Sequence, residues 1–326
     1  MSHRLNTQTD FKGSVSQLSA KLKLTRTAVQ ALDVVAPRLS TQLVLSHFLN
    51  PRHKEQVDYT AQLPKDGERL EIFHNLMKLT GWAWGDTGPA VLLVHGWESH
   101  TGKMAGFVKP LLEHGFRVVA FDAPGHGMSP NTPTHLVDYA QAIQSVIEQQ
   151  GPFYAIIAHS LGAAATTISL QDAPENMPQQ LVLLSPMRDL QQQIDIFATV
   201  AGLSPKRKDR LNKAVVNHTG RSLDQCSSVN AVRQFNIPGL VIHDHDDVLI
   251  PWESGVTIAE NWNGARFITT QKLGHRRGLR NQNVLHHVLN FLTTPAQRSR
   301  QHLEYADHRR GVEDIGPVIA LPVREM

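Results

Sequence analysis

With 326 residues, 41% of them hydrophobic and 19% charged, the chain can bury one large core or two modest ones, and its formal charge of only +3 argues against a strongly basic binding surface. The single cysteine, Cys226, excludes an internal disulfide framework and a cysteine-rich zinc site; the scattered lysines and arginines exclude a dedicated nucleic-acid stripe. No segment has the ~20 apolar residues of a membrane span, and the polar start MSHRLNTQTDFKGS lacks the apolar stretch of a signal peptide, so no stable membrane insertion and a reducing, cytoplasmic setting are expected.

Residues 1–55 read as an N-terminal helical arm. Val15, Leu18, Leu22, Val29, Leu32, Leu39 and Leu43 recur at steps of three, four or seven, and Pro37 divides the stripe. The stripe suits packing on the main domain; a homodimer through this arm, or membrane-surface attachment through Lys21, Lys23 and Arg26, are the alternatives. From 56 to 186 the pattern changes to the first part of a core of alternating strands and helices. RLEIFHN and LMKLTGWAWG form a hairpin, followed by the continuous apolar runs AVLLVHG, FRVVAFDAPG, FYAIIAHS and QLVLLSP. Such runs mark strands covered on both faces, and MAGFVKPLLEHG, HLVDYAQAIQSVIEQQG and LGAAATTISLQ between them carry helical period. Alternation of this kind predicts a doubly wound α/β fold with ligands beyond the strand carboxyl ends. Residues 187–235 break it, with helical patches around Pro205, and read as a helical lid. Met187, Leu190, Ile194, Phe197, Val200 and Leu203 either anchor that lid or line an acyl pocket. The core resumes over 236–296 with GLVIHDHDD, ARFITTQKLGH and the helix NVLHHVLNFL; residues 297–326 form a largely polar tail.

Chemistry collects at the strand ends. Ser160 lies between the strand FYAIIA and a helix with no spacer, flanked at two residues' distance by the small Ala158 and Gly162. A strand-to-helix turn that tight demands small neighbours and leaves the hydroxyl standing at a helix N-terminus. A serine needs a base, and the base an orienting carboxylate. Asp244, Asp246 and Asp247 follow a later strand; Asp247, opening the turn Asp-Val-Leu-Ile-Pro, is the acid, with Asp244 and Asp246 capping or bracing the turn. A metal site built from His243, Asp244, His245 and Asp246 is the rival reading, weakened because adjacent strand residues face opposite ways. His275, behind Gly274 on the loop after the last strand, is the base; His286 and His287 are ordinary helix residues. The backbone N–H groups of Trp97 and Leu161 are the oxyanion donors, with His95 bracing the first loop and His159 packing away from the active face.

VLLVHGW, VVAFDAPGHGMS, IIAHSLGAAA, VIHDHDDVLIP and LGH together resemble the successive landmarks of the α/β-hydrolase superfamily, over roughly residues 69–295. The resemblance implies an eight-stranded, mostly parallel sheet flanked by helices, with its first two strands antiparallel and a lid after strand six. It assigns nucleophile, acid and base to Ser160, Asp247 and His275 and the oxyanion hole to Trp97 and Leu161. The implied activity is serine hydrolysis of a carboxylic ester, thioester or amide of a small acyl substrate, with no cofactor or metal. Acyl transfer by the same residues, or a non-catalytic scaffold, are the rival classes. Ala158 departs from the glycine usual before the nucleophile.

Overall fold

The computed structural model describes residues 35–51 and 58–293. The arm before residue 35 and the tail 297–326 lie outside the described residues, so the expectations made for them are untouched here. The chain divides into two compact units: a smaller one, in which helix α1 (Pro37–Leu49) joins Leu190–Leu223, and a larger one of Pro51–Asp189 with the chain from Asp224 onward.

The larger unit is built on eight strands: β1 (Glu68–His74), β2 (Met77–Trp84), β3 (Ala90–Val94), β4 (Arg117–Phe121), β5 (Ala155–His159), β6 (Gln180–Leu184), β7 (Gly239–Asp244) and β8 (Ala265–Thr270). They form one sheet in the order β1-β2-β4-β3-β5-β6-β7-β8. β1 and β2 pair antiparallel from Glu68↔Ala83 to His74↔Met77, turning at Asn75, which takes a left-handed φ of 51°. β2 runs antiparallel to β4, and every later pairing is parallel. The expected eight-stranded, mostly parallel sheet is therefore observed. Its inner strands are buried on both faces, whereas β1, at the edge, alternates and leaves Phe73 exposed.

Helices α2 (Thr101–Met104), α3 (Val108–Glu113), α4 (Leu136–Gln150) and α5 (Leu161–Asp172) connect the first half of the sheet. After α6 (Leu190–Ala201) and α7 (Pro205–Thr219) of the smaller unit come α8 (Ser228–Val232), α9 (Glu253–Glu260), α10 (Gly274–Arg277) and α11 (Gln282–Leu292). The small side chains of α5 have a structural reason: every residue from Leu161 to Leu170 is buried, so the helix has no solvent face. α11 is one-sided, burying Val284, Leu285, Val288 and Leu292.

In the smaller unit, Pro37 opens α1 after a break at Ala36, as the proline was expected to divide the stripe, and its missing N–H costs nothing at a first turn. The Ser204 hydroxyl caps α7 by accepting from the Arg207 N–H, with Pro205 next, and Gly220 closes the helix in a left-handed conformation at φ 68°. The buried face of α1 is Ser40, Val44, Phe48 and Leu49. The expected stripe is corrected at its described end: Leu39 and Leu43 are 48% and 43% exposed. Both faces of this helix carry apolar residues four apart, and Phe48, edge-on to Phe197 of α6 at 5.3 Å between ring centres, decides which one is covered.

Candidate active site

Ser160 occupies the link between β5 and α5 with φ 57° and ψ −122°, a backbone state that an L-residue holds only when its surroundings enforce it. Its N–H donates to the Leu184 carbonyl at 3.0 Å, and its own carbonyl accepts from the Ala163 N–H at 3.1 Å, so sheet and helix grip the residue from both sides. Two glycines permit this closeness. A Cβ on Gly162 would lie 2.0 Å from the His95 carbonyl oxygen, and one on Gly96 would lie 2.9 Å from the Ser160 Cβ. The loop after β3 and the first turn of α5 thus interlock. The position two before the serine is less demanding: Ala158 sits fully buried in the sheet, opposite Val94 and Leu183, and its methyl is accommodated there.

The structure brings Ser160, His275 and Asp247 together. The Ser160 hydroxyl lies 2.9 Å from His275 Nε2, and His275 Nδ1–H donates to Asp247 Oδ2 at 2.7 Å. The imidazole is 9% exposed and the carboxylate fully enclosed. The other oxygen of Asp247 accepts the backbone N–H groups of Leu249 and Ile250 at 2.9 and 3.0 Å, which fixes the turn after β7. Burial alone would raise this carboxyl's pKa; hydrogen bonds from His243 and His275, the nearby His275 charge and the Ile250 N–H outweigh it and hold the group well below the usual carboxylate range. Asp247 is therefore ionised at neutral pH, as an acceptor for the His275 N–H must be.

Two neighbouring aspartates do more than the sequence suggested. Asp244 accepts the N–H groups of Leu273 and Gly274 at 3.1 and 2.8 Å and the Thr270 hydroxyl at 2.7 Å. Asp246 accepts the Lys272 N–H at 2.7 Å. Both therefore brace the loop that presents His275, and only one of these bonds, from the Asp246 N–H to Asp244 at 3.0 Å, lies in their own turn. The four residues of the rival metal reading are dispersed: His243 is fully buried, Asp244 and Asp246 are occupied by backbone donors, and His245 is exposed. His159 also departs from expectation. Its Nε2–H donates to the His275 carbonyl at 2.9 Å and its ring centre lies 4.8 Å from that of His275, so it faces His275 instead of pointing away.

Trp97 follows Gly96, which packs against the Ser160 Cβ, and Leu161 follows Ser160, so both backbone segments expected to supply oxyanion donors lie next to Ser160. The loop is braced from behind: His95 Nδ1–H donates to the Gly96 carbonyl at 2.7 Å, its Nε2 accepts from the Ala123 N–H at 3.1 Å, and the Tyr139 hydroxyl donates to the His95 carbonyl at 2.7 Å. Burial pushes His95 down to about 4, so it serves as a neutral strut. A cavity of about 20 Å³ lined by His159, Ser185, Asp244, Thr270 and His275 among others has room for a water molecule.

The fold matches solved structures. The mouse α/β hydrolase domain-containing protein 10 superposes with a TM-score of 0.55 at 15% identity, over 74% of this chain and 99% of that one. This chain has the α/β-hydrolase superfamily fold. Residues 85–236 match the family model described as serine aminopeptidase, S33, a span that contains Trp97, Ser160 and Leu161 and ends before Asp247 and His275. A serine hydrolase-like protein of Danio rerio is 35% identical over 113 residues, 33% of this chain and 34% of its own. The chain spans about a third of the length of such serine hydrolase-like relatives. A pimeloyl-[acyl-carrier protein] methyl ester esterase of Nitrosomonas europaea is 26% identical over 229 residues, 58% of this chain and 89% of its own.

Proposed function

We propose that this chain is a serine hydrolase that cleaves a carboxylic ester through an acyl-enzyme. The observation that carries the reading is the hydrogen-bonded line from Ser160 Oγ through His275 to Asp247, 2.9 and 2.7 Å in its two links. His275 Nε2 takes the hydroxyl proton as Ser160 Oγ attacks the ester carbonyl. The tetrahedral oxyanion is held by the N–H groups of Trp97 and Leu161, the second at the N-terminus of α5, where the helix field favours negative charge. His275 then protonates the departing alcohol oxygen, leaving the acyl group on Ser160. A water molecule gives its proton to His275, attacks the acyl carbon, and Ser160 recovers its proton as the acid leaves. Asp247 keeps the His275 Nδ1–H fixed throughout, so that Nε2 always faces the serine. The relative named for a methyl ester, aligned over most of its length, supports an ester as the bond cleaved. The family model named for an aminopeptidase supports an amide as the second substrate class.

A fluorophosphonate probe is expected to label the wild-type protein and to spare Ser160→Ala, which loses at least about a thousandfold in kcat; equal labelling of both would overturn the assignment. A panel of p-nitrophenyl esters from acetate to laurate, run beside amino-acid anilides, identifies the acyl length and decides between ester and amide. For the preferred ester, kcat/KM is expected to fall in acid, where the base is lost to protonation. A profile flat from pH 5 to 8 would remove His275 as base.

A further inference from the structure

We infer that His243 is a positioning residue for this site: its buried imidazole donates to the same Asp247 oxygen that His275 uses and so sets how tightly that carboxylate holds the base. The inference rests on the hydrolase reading above. His243 Nε2 lies 3.1 Å from the Ile250 carbonyl oxygen, which only accepts, so this nitrogen carries the proton. The same N–H lies 3.3 Å from Asp247 Oδ2, and both side chains are wholly enclosed. The N–H is hydrogen-bonded to the backbone of the turn and meets the carboxylate in a second, longer contact. Oδ1 of Asp247 is already occupied by the Leu249 and Ile250 N–H groups, which leaves Oδ2 to be shared by the two imidazoles. The ring has no freedom to turn. A Cβ on Gly255 would lie 2.7 Å from its Nδ1, so the backbone of α9 packs against the ring edge that has no hydrogen-bond partner.

A neutral donor on Oδ2 withdraws part of the negative charge that faces His275. Without it, the whole of that charge acts on the base, the imidazolium is favoured, and the base loses its proton only at higher pH. The other ionisable groups around His275 are Asp247 itself, His159 from β5, Arg276 on α10 and Asp244 at the end of β7, and none is altered by a change at 243.

The test compares kcat/KM against pH for the full chain with a p-nitrophenyl ester in wild type, His243→Leu and His243→Gln. His243→Leu is expected to move the acid limb upward by about 0.5–1 pH unit and to lower the plateau about three- to tenfold. His243→Gln, whose amide nitrogen reaches the place of Nε2, is expected to return the limb to its wild-type position. The low-field proton line of the His275 Nδ1–H should move in the leucine variant and return in the glutamine variant. An unmoved limb and an unmoved line in folded His243→Leu overturn the inference. If that variant does not fold, Gly255→Ala crowds the same ring while keeping the donor, and must move the line; an unmoved line there overturns it equally. A wild-type protein that neither hydrolyses esters nor reacts with fluorophosphonate sinks the hydrolase reading, while the proton line still reports on the His243–Asp247 contact.

Discussion

Two aspartates are buried at carboxyl ends of this sheet, and their surroundings push them in opposite directions. Asp122, after β4, is held by donors that stay neutral: the Tyr59 hydroxyl, the Thr101 N–H at 2.8 Å and the Met128 N–H at 2.7 Å. Burial wins there, and its carboxyl is raised above the usual range. Asp247, after β7, has two backbone donors and two imidazoles, and is lowered. The imidazoles are the difference. Those nearest Asp122, His95 and His126, bond to backbone at 2.7, 3.1 and 2.9 Å and are driven by burial to about 4 and about 3, so they bring no positive charge. A carboxylate steadies a developing imidazolium only where its partner is able to become a cation. Asp122 ties a turn together; Asp247 is equipped for chemistry.

The largest test of that contrast is acid. His95, His126 and His159 are held neutral by burial, at about 4, 3 and 3. The unfolded chain protonates them near pH 6.5, so the unfolded state binds more protons below that value and stability falls with pH. At pH 5 each costs about 2 kcal/mol, roughly 6 in all. Asp122 acts in the opposite sense, since its raised carboxyl takes up a proton in the fold first, but one group returns at most about 3 kcal/mol between pH 7.5 and 5. Asp247 contributes stability that is complete above its unfolded value and is lost only as pH falls through and below 3.8. Urea unfolding at pH 7.5 and pH 5 should therefore show a net loss of several kcal/mol. Equal stability at the two values would mean that the buried imidazoles are not held neutral. Refolding each sample to pH 7.5 separates this effect from titration of the base.

Substitution at the two carboxylates comes next. Asp247→Asn should lower kcat about ten-thousandfold, because an amide nitrogen opposite His275 Nδ1 favours the wrong tautomer. Asp122→Asn should leave kcat/KM within a factor of two. It should instead cost roughly 3 kcal/mol, or about 5–10 °C in Tm, since an amide cannot accept from all three donors that converge there. Steady-state kinetics and thermal melts on both variants check the pair. A large kinetic loss in Asp122→Asn would erase the distinction.

Much of this was legible in the sequence because the constraints are local. Small residues around Ser160, apolar runs ending in histidine or aspartate, and the order serine, aspartate, histidine are all readable along the chain. The sheet follows from those runs, and Ser160, Asp247 and His275 meet where the order places them. What was not legible depends on partners distant in sequence. Asp244 braces residues 26 to 30 positions away, and His159 reaches a carbonyl 116 positions on. His243 has no spacing signal, since its contact with Asp247 arises only once the chain leaves the strand and turns back. The covered face of α1 was misread for the same reason: propensity admits either face, and Phe197 selects one.

The smallest prediction, Tyr59→Phe, probes the neutral side of the comparison most finely. The ring is fully buried, stacks on His100 at 4.2 Å between centres, and gives its only hydroxyl proton to Asp122. Removing that oxygen keeps the ring and its packing and leaves the Thr101 and Met128 donors in place. The loss is one neutral hydrogen bond, about 1 kcal/mol, or about 2–4 °C in Tm. No charge is transferred in that bond, so the ester-cleaving rate and its pH profile should be unmoved, in contrast to the shift expected when the donor on Asp247 is removed at His243. Melting curves and a pH–rate profile on the one variant decide it. A displaced acid limb in Tyr59→Phe would mean that the turn after β4 communicates with the base, and that the two aspartates are parts of one network.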